Sequence, residues 1–297
     1  MEIRTQKPRK FKQVDVFSAK PLKGNPLAVI LDGEGLTDAE MSSIARWTNL
    51  SETAFVLKPV DPAADYRVRI FTTDKELPFA GHPTLGTAHA LLEAGLKPKR
   101  PGFLLQECGV GLVRVKLQGD DGLAFAAPPV TLQPISDEHQ ALLKKALPSG
   151  TILPGGVPTI ADMGVSWLMV RMADAQSCLD IAADLAAIEL LQSVLNVNGV
   201  AVYGLHEANG PADYEVRAFM VEHHTLVEDP VTGSANACLA RILKSAGFPD
   251  GGNTAIKYLA RQGTALERDG RISVRFVDDE VWIGGEVRTL IDGTLRL

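Results

Sequence analysis

Asp229-Pro230-Val231-Thr232-Gly233-Ser234-Ala235-Asn236-Ala237-Cys238-Leu239 is the stretch that decides the fold, because the chain carries a second copy of it. Pro83, Gly86, Thr87, Ala88, Ala90 and Leu92 match Pro230, Gly233, Ser234, Ala235, Ala237 and Leu239 at a constant offset of 147 residues. Upstream, Val68, Arg69 and Phe71 match Val216, Arg217 and Phe219 with a slip of one residue. A period close to half the chain signals duplicated domains rather than a solenoid, whose units run to roughly 20–50 residues. Two similar domains are therefore expected, each with a strand-like Val-Arg-x-Phe leading through a short loop into a helix.

In both copies proline is read as the first helical residue, where its fixed φ suits the helix and its missing N–H would be free anyway. That reading makes His82 and Asp229 the N-cap residues. Small and apolar residues follow each of them. A helix apolar on most sides belongs in the middle of a domain, wrapped by sheet, with only its N-terminus reaching solvent.

The 297 residues exceed the usual single core, and the tandem Pro128-Pro129 marks the boundary. The expected domains are 1–127 and 128–297, with the last strand, 286–297, a candidate to return to the first domain. Strands are expected at Phe11–Phe17, Leu27–Leu31, from Glu52, at Tyr66–Phe71, Leu104–Glu107 and Leu112–Leu117, with an Asp120-Asp121-Gly122 turn before Leu123–Ala126. In the second half they are expected at Trp167–Arg171, Val200–Leu205, Tyr214–Phe219 and in a closing meander, Ile272–Val277, Val281–Ile283 and Val287–Leu290. Thr37 and Glu40 form a capping box for a helix ending near Thr48 or Asn49, and Gly95 ends the first central helix. Further helices are expected at Ser136–Leu147 and about Ala182–Leu195. The stretch Val221–Val227 reads as a bulky polar loop, either entering the second site or solvated with no contact to a ligand.

Composition excludes several classes. A net charge of −6 argues against a nucleic-acid partner, which needs clustered cations. No apolar run is long enough to span a bilayer, and the charged stretch Met1–Lys10 reads as a loose tail rather than a secretory signal, so a cytoplasmic protein is expected. The three cysteines are widely spaced and fit neither a disulfide framework nor a zinc site. No metal is expected: His223 and His224 would point apart on a strand, and His82 and His89 are read as lacking a carboxylate partner. Gly109 and Gly111 precede a strand, not a helix, and no Walker A sequence occurs, so no nucleotide cofactor is indicated.

Two capped, buried helices in similar domains suggest a cleft where positive dipole ends and free N–H groups converge, a place for a substrate carboxylate or a developing enolate. Gly81 and Gly233 would let the ligand approach, with Ser234 in the first turn of the second helix. Glu52 is the candidate proton carrier, because a carboxylate in a partly dry cleft near other acids is raised towards neutrality. His82 and Asp229 stand beside it as orienting or proton-shuttling groups, or as helix caps only. Glu52 could equally be a solvated residue at a strand start.

Gly24-Asn25-Pro26-Leu27-Ala28-Val29, Asn49–Phe55, Arg69–Thr72, Glu76–Thr84 and Glu228–Ala235 together resemble the signature blocks of the PhzF family, the phenazine-biosynthesis isomerase-like proteins. The resemblance implies an α+β, diaminopimelate-epimerase-like fold: two pseudo-symmetric domains, each a curved mixed β-sheet around a central helix, commonly as a homodimer. It also implies a cofactor-free site, with the acid/base glutamate at Glu52, supporting positions at His82, Asp229 and Ser234, and Gly81 and Gly233 at the helix starts. Related two-base racemases place a cysteine before each helix. This chain has Ala80 and Asp229-Pro230 there, which disfavours a two-thiol mechanism. The expected activity is isomerisation of a small carboxylate; the alternatives are an epimerase or racemase working at an α-carbon and a binding protein that keeps the fold without chemistry.

Overall fold

In the computed structural model of the protein, which describes residues 8–118, 122–247 and 257–297, the first half is a mixed sheet laid around one helix. Strand β1 (Arg9–Val16) runs antiparallel to β2 (Asn25–Ile30). Helix α1 (Asp38–Thr48) carries the chain over to β3 (Glu52–Leu57), parallel to β2. The capping box forms: the Glu40 carboxylate accepts from the Thr37 N–H at 2.8 Å, and Thr37 Oγ1 accepts from the Glu40 N–H. Asn49, at φ 53°, closes the helix in the left-handed conformation that asparagine tolerates. Strand β4 (Tyr66–Phe71) pairs with β3 and carries the short β5 (Glu76–Leu77). After α2 (Gly81–Glu93), β6 (Phe103–Cys108) lies parallel to β4, and β7 (Gly111–Leu117) and β8 (Leu123–Ala126) continue antiparallel. Of the expected Asp-Asp-Gly turn, Asp120 and Asp121 lie outside the described residues. So do residues 1–7 of the expected tail, whereas Arg9 and Lys10, also assigned to it, belong to β1.

The second half repeats the order. After β9 (Thr131–Pro134) and α3 (Gln140–Ala146), β10 (Thr159–Asp162) runs antiparallel to β11 (Ser166–Arg171). Two helices, α4 (Ala175–Leu179) and α5 (Leu185–Leu195), lead to β12 (Gly199–Leu205), parallel to β11. Strand β13 (Tyr214–Glu222) turns back through β14 (Thr225–Asp229) into α6 (Gly233–Ser245). Then β15 (Lys257–Gln262) lies parallel to β13, followed by β16 (Gly270–Val277) and β17 (Glu280–Gly285). The expected Val221–Val227 loop is instead the end of this β13–β14 hairpin. Its turn residues His223 and His224 sit at φ 48° and 57°, as a tight hairpin turn requires, rather than pointing apart on a strand.

Pairing of β8 with β17 joins the halves into one continuous sheet. The strand after β8, β9, already belongs to the second half and pairs with β10, whereas the strand after β17, β18 (Val287–Leu295), crosses back to pair with β1. Both central helices are buried through most of their first two turns, and side chains around them belong to one apolar cluster running from Val14 to Ile283. Among the described residues no helix is long and apolar enough to cross a membrane.

The repeated Val-Arg-x-Phe has a physical reason. Arg69 on β4 stacks over Phe71, its guanidinium 5.0 Å from the ring centre, and forks onto Glu76 of β5 through Nε (2.7 Å) and Nη2 (2.5 Å). Arg217 on β13 stacks over Phe219 at 4.7 Å and forks onto Glu228 of β14 at 2.9 and 2.8 Å. Planar, bidentate pairing of this kind is specific to arginine. In both halves it fastens the strand that leads into the central helix.

Candidate active site

The two central helices meet head to head. A Cβ placed on Gly81 would lie 2.8 Å from the Gly233 Cα, and one on Gly233 would lie 2.8 Å from the Gly81 Cα. Only glycine permits that approach. The contact also corrects the helix starts expected from sequence. The N-caps are Ala80 and Thr232, not His82 and Asp229. Pro83 is the third residue of α2, and Pro230 precedes α6. Proline is tolerated anywhere in the first turn, since none of the N–H groups there has a partner within the helix, so the letter alignment does not fix the cap. The matching positions are Gly81 with Gly233 and His82 with Ser234.

Glu52 opens β3, and its Oε2 stands 3.3 Å from His82 Nε2 with side-chain exposures of 14% and 3%. His82 thus does have a carboxylate neighbour, contrary to the sequence reading, as does His89, 3.2 Å from Glu93. The Glu52–His82 contact is not an aligned hydrogen bond: neither Oε2 nor Nε2 makes one to any described residue. Burial pushes the His82 imidazole down to about 3, so it is neutral at physiological pH and the contact is not an ion pair. Burial, and then the nearby Asp229 and Glu222 carboxylates, hold the Glu52 carboxyl well above its usual range.

Asn25, at the start of β2, ties this pair to Asp229. Its amide nitrogen donates to Asp229 Oδ1 at 2.8 Å and to the Val231 carbonyl at 2.9 Å, and lies 3.3 Å from His82 Nδ1. Its two N–H bonds go to Asp229 and Val231, and an amide nitrogen does not accept, so nothing there receives a proton from Nδ1, which favours the imidazole proton on Nε2, the side of Glu52. Asp229 accepts further from Thr232 Oγ1 at 2.6 Å and Ser51 Oγ at 3.4 Å. Burial raises its carboxyl above the ordinary value, against the lowering effect of these bonds. Gln262 locks the entry to α6: its Nε2 donates to the Asp229 carbonyl and Thr232 Oγ1, and its Oε1 accepts from the Thr232 N–H.

Glu52, Asp229 and Ser234 share a cavity of about 220 Å³. An apolar wall of Leu77, Val165, Trp167, Val197 and Met220 faces these polar groups, and Asp74, Lys75, Glu222 and His223 line it as well. Because a cavity of about 150 Å³ holds benzene, this one suits a single substituted ring. Among the described residues, then, the structure gathers Glu52, His82, Gly81, Gly233, Asp229 and Ser234 around one place. Sequence alone gives no role to Asn25, Gln262 or Trp167, and takes the tip of the β13–β14 hairpin as a polar loop at the second site. A buried asparagine opening an apolar strand was the one available signal. Cys238 is fully buried in α6, with its thiol raised by burial, and stays outside this group.

A family model described as phenazine biosynthesis-like protein matches residues 14–293. The antisense-enhancing sequence 1 protein of Schizosaccharomyces pombe is 35% identical, over 95% of this chain and 97% of its own. An uncharacterized isomerase of Mesorhizobium japonicum is 33% identical, over 97% and 98%. A Bacillus anthracis phenazine biosynthesis protein of the PhzF family superimposes with a TM-score of 0.83 at 22% identity, covering 98% of this chain and all of that one. The architecture is the diaminopimelate-epimerase-like α+β fold.

Proposed function

The chain belongs to the phenazine biosynthesis-like protein family, and from that premise we propose that it is a cofactor-independent isomerase moving a proton within a small carboxylate substrate. The observation that carries this reading is Glu52: a buried carboxyl in the cavity wall, raised well above its usual range, with an oxygen that no described residue satisfies. A carboxyl raised towards neutrality both takes and returns a proton efficiently.

In the proposed reaction the substrate carboxylate lies against the N-termini of α2 and α6, whose first N–H groups are free of intrahelical partners and whose dipoles favour negative charge. Glu52, as carboxylate, removes a proton from carbon. The C–H bond breaks, an O–H bond forms on Glu52, and the electron pair moves into the conjugated system as an enolate, stabilised by the same N–H groups. Glu52 then returns the proton to a second carbon. His82 Nε2, 3.3 Å away, needs only a small realignment to donate to the ionised Glu52, and Asn25, which offers Nδ1 no acceptor, favours that tautomer.

Asp229 and Glu222 line the same cavity, but the place equivalent to Glu52 in the second half carries no acid, and that asymmetry favours isomerisation over two-base epimerisation. On the parallel ladders Glu52 sits opposite Leu27, and Gly199 sits opposite Trp167 at the corresponding place in the second half. The acid therefore has a glycine as its counterpart, and the two N-caps, Ala80 and Thr232, are not ionisable near neutral pH.

The test is proton exchange. Small ring carboxylates incubated in deuterium oxide with wild-type protein should acquire deuterium at carbon alongside net isomerisation. Glu52→Gln, which keeps the shape, should lower both by ~10²–10⁴-fold. Undiminished exchange in that variant would remove Glu52 from the mechanism.

A further inference from the structure

Ser234 and His82 occupy matching second positions in the abutting helices, but they are held by different partners. The Trp167 Nε1–H, which can only donate, reaches Ser234 Oγ at 3.0 Å between two buried side chains. The hydroxyl oxygen is thereby an acceptor towards the indole, and its own proton must be donated elsewhere. No described residue accepts it, and Ser234 lines the cavity. The indole seat is itself built: a Cβ on Gly199 would lie 2.7 Å from the Trp167 ring, so the second half has a glycine at the place of Glu52 and fills the space with Trp167.

We propose that Trp167 is a positioning residue: it turns the Ser234 hydroxyl into a donor aimed at the anionic group of the ligand, while its ring forms the wall against which that ligand's apolar body lies. The proposal rests on the carboxylate-binding reading above and extends it to two residues that reading leaves without a role, Trp167 and Gly199. The two halves then divide the work. The first carries the proton through Glu52 and His82, and the second anchors the anion through Trp167 and Ser234.

The experiment uses benzoate as the probe and the full chain in wild-type, Trp167→Phe, Ser234→Ala and doubly substituted forms. Benzoate binding is measured by calorimetry, with the three indole N–H signals followed by ¹⁵N-labelled NMR. Trp167→Phe keeps an aromatic wall and removes only the donor. It should weaken benzoate about 2–13-fold, as loss of a hydrogen bond between neutral groups does, and should cost little more once Ser234 is alanine. The indole signal lost in Trp167→Phe should be the one that shifts on Ser234→Ala and on adding benzoate, while that of Trp47, 77% exposed, stays still. Unchanged affinity in Trp167→Phe, additive losses in the double variant, or no benzoate binding to wild type would each overturn the proposal. Binding is read without turnover, so a failure here is separable from a failure of proton exchange.

Discussion

At Glu52 function and stability pull in opposite directions. The carboxyl is raised in the folded chain, so the folded state holds its proton at a pH where the unfolded chain has released it. Stability from this group is complete below the ordinary glutamate range and falls as pH rises towards the raised folded value. Glutamine imitates the protonated form at every pH. Glu52→Gln is therefore expected to melt a few degrees above wild type at pH 7–8, since about 1 kcal/mol corresponds to roughly 2–4 °C in chains of this order of size, and to lose that advantage near pH 4. A variant melting equally with wild type at both pH values would mean the carboxyl is not strained by burial. Activity has the complementary sign. It should fall as acidification protonates the base, with the limb above the ordinary carboxylate range, and it should show no inflection from His82, which stays neutral until about pH 3.

Among the elements, the decisive contact is between the starts of α2 and α6. Gly81→Ala and Gly233→Ala each force a methyl group to 2.8 Å from the opposing backbone, so each should cost about 1–3 kcal/mol in denaturant unfolding. The double variant should cost less than the sum, because one separation of the helices relieves both clashes. Wild-type stability in either single variant would contradict the abutment. This contact also explains what could be read in advance. The capping box at Thr37 and Glu40 and the β-branched and aromatic runs of β3 and β4 are local signals, and the elements start where those signals place them. The start of α6 was misplaced because Pro83 and Pro230 match as letters but stand at different distances from the glycines that meet. Val221–Val227 reads as a loop rather than a hairpin because two histidines, not Asn-Gly, hold its positive-φ turn. Asn25 and Asp229 lie 204 residues apart, and Trp167 reaches Ser234 across 67; no periodicity or spacing rule connects such pairs. The cleft argument nominates Glu52, but nothing local separates it from a solvated strand-start glutamate, and the family resemblance is what favours the catalytic reading.

Across the whole molecule the return of the last strand to the first half makes the site depend on both ends of the chain. Strand β18 arrives from the end of the chain to cover β1, and β1 in turn holds β2, whose first residue, Asn25, orients His82 and Asp229. Lys12 on β1 is 6% exposed, with Nζ 2.8 Å from Asp292 of β18 and 3.0 Å from Glu93 of α2. Removing residues 287–297 would strip one of those carboxylates from a buried cation and bare the backbone of β1. Asp292 is 69% exposed and Glu93 remains, so the lost ion pair is screened and contributes little, and the bared strand accounts for most of the loss. The damage should not stay local, because the β8–β17 ladder and one apolar cluster bind both halves. The truncated chain is expected to unfold in a single calorimetric transition at a lower temperature, and benzoate affinity should fall with it as Asn25 loses its support. If scanning calorimetry instead resolved a second transition at the wild-type temperature, the halves would be independent and the proposed site would have to form without β1 being held in place.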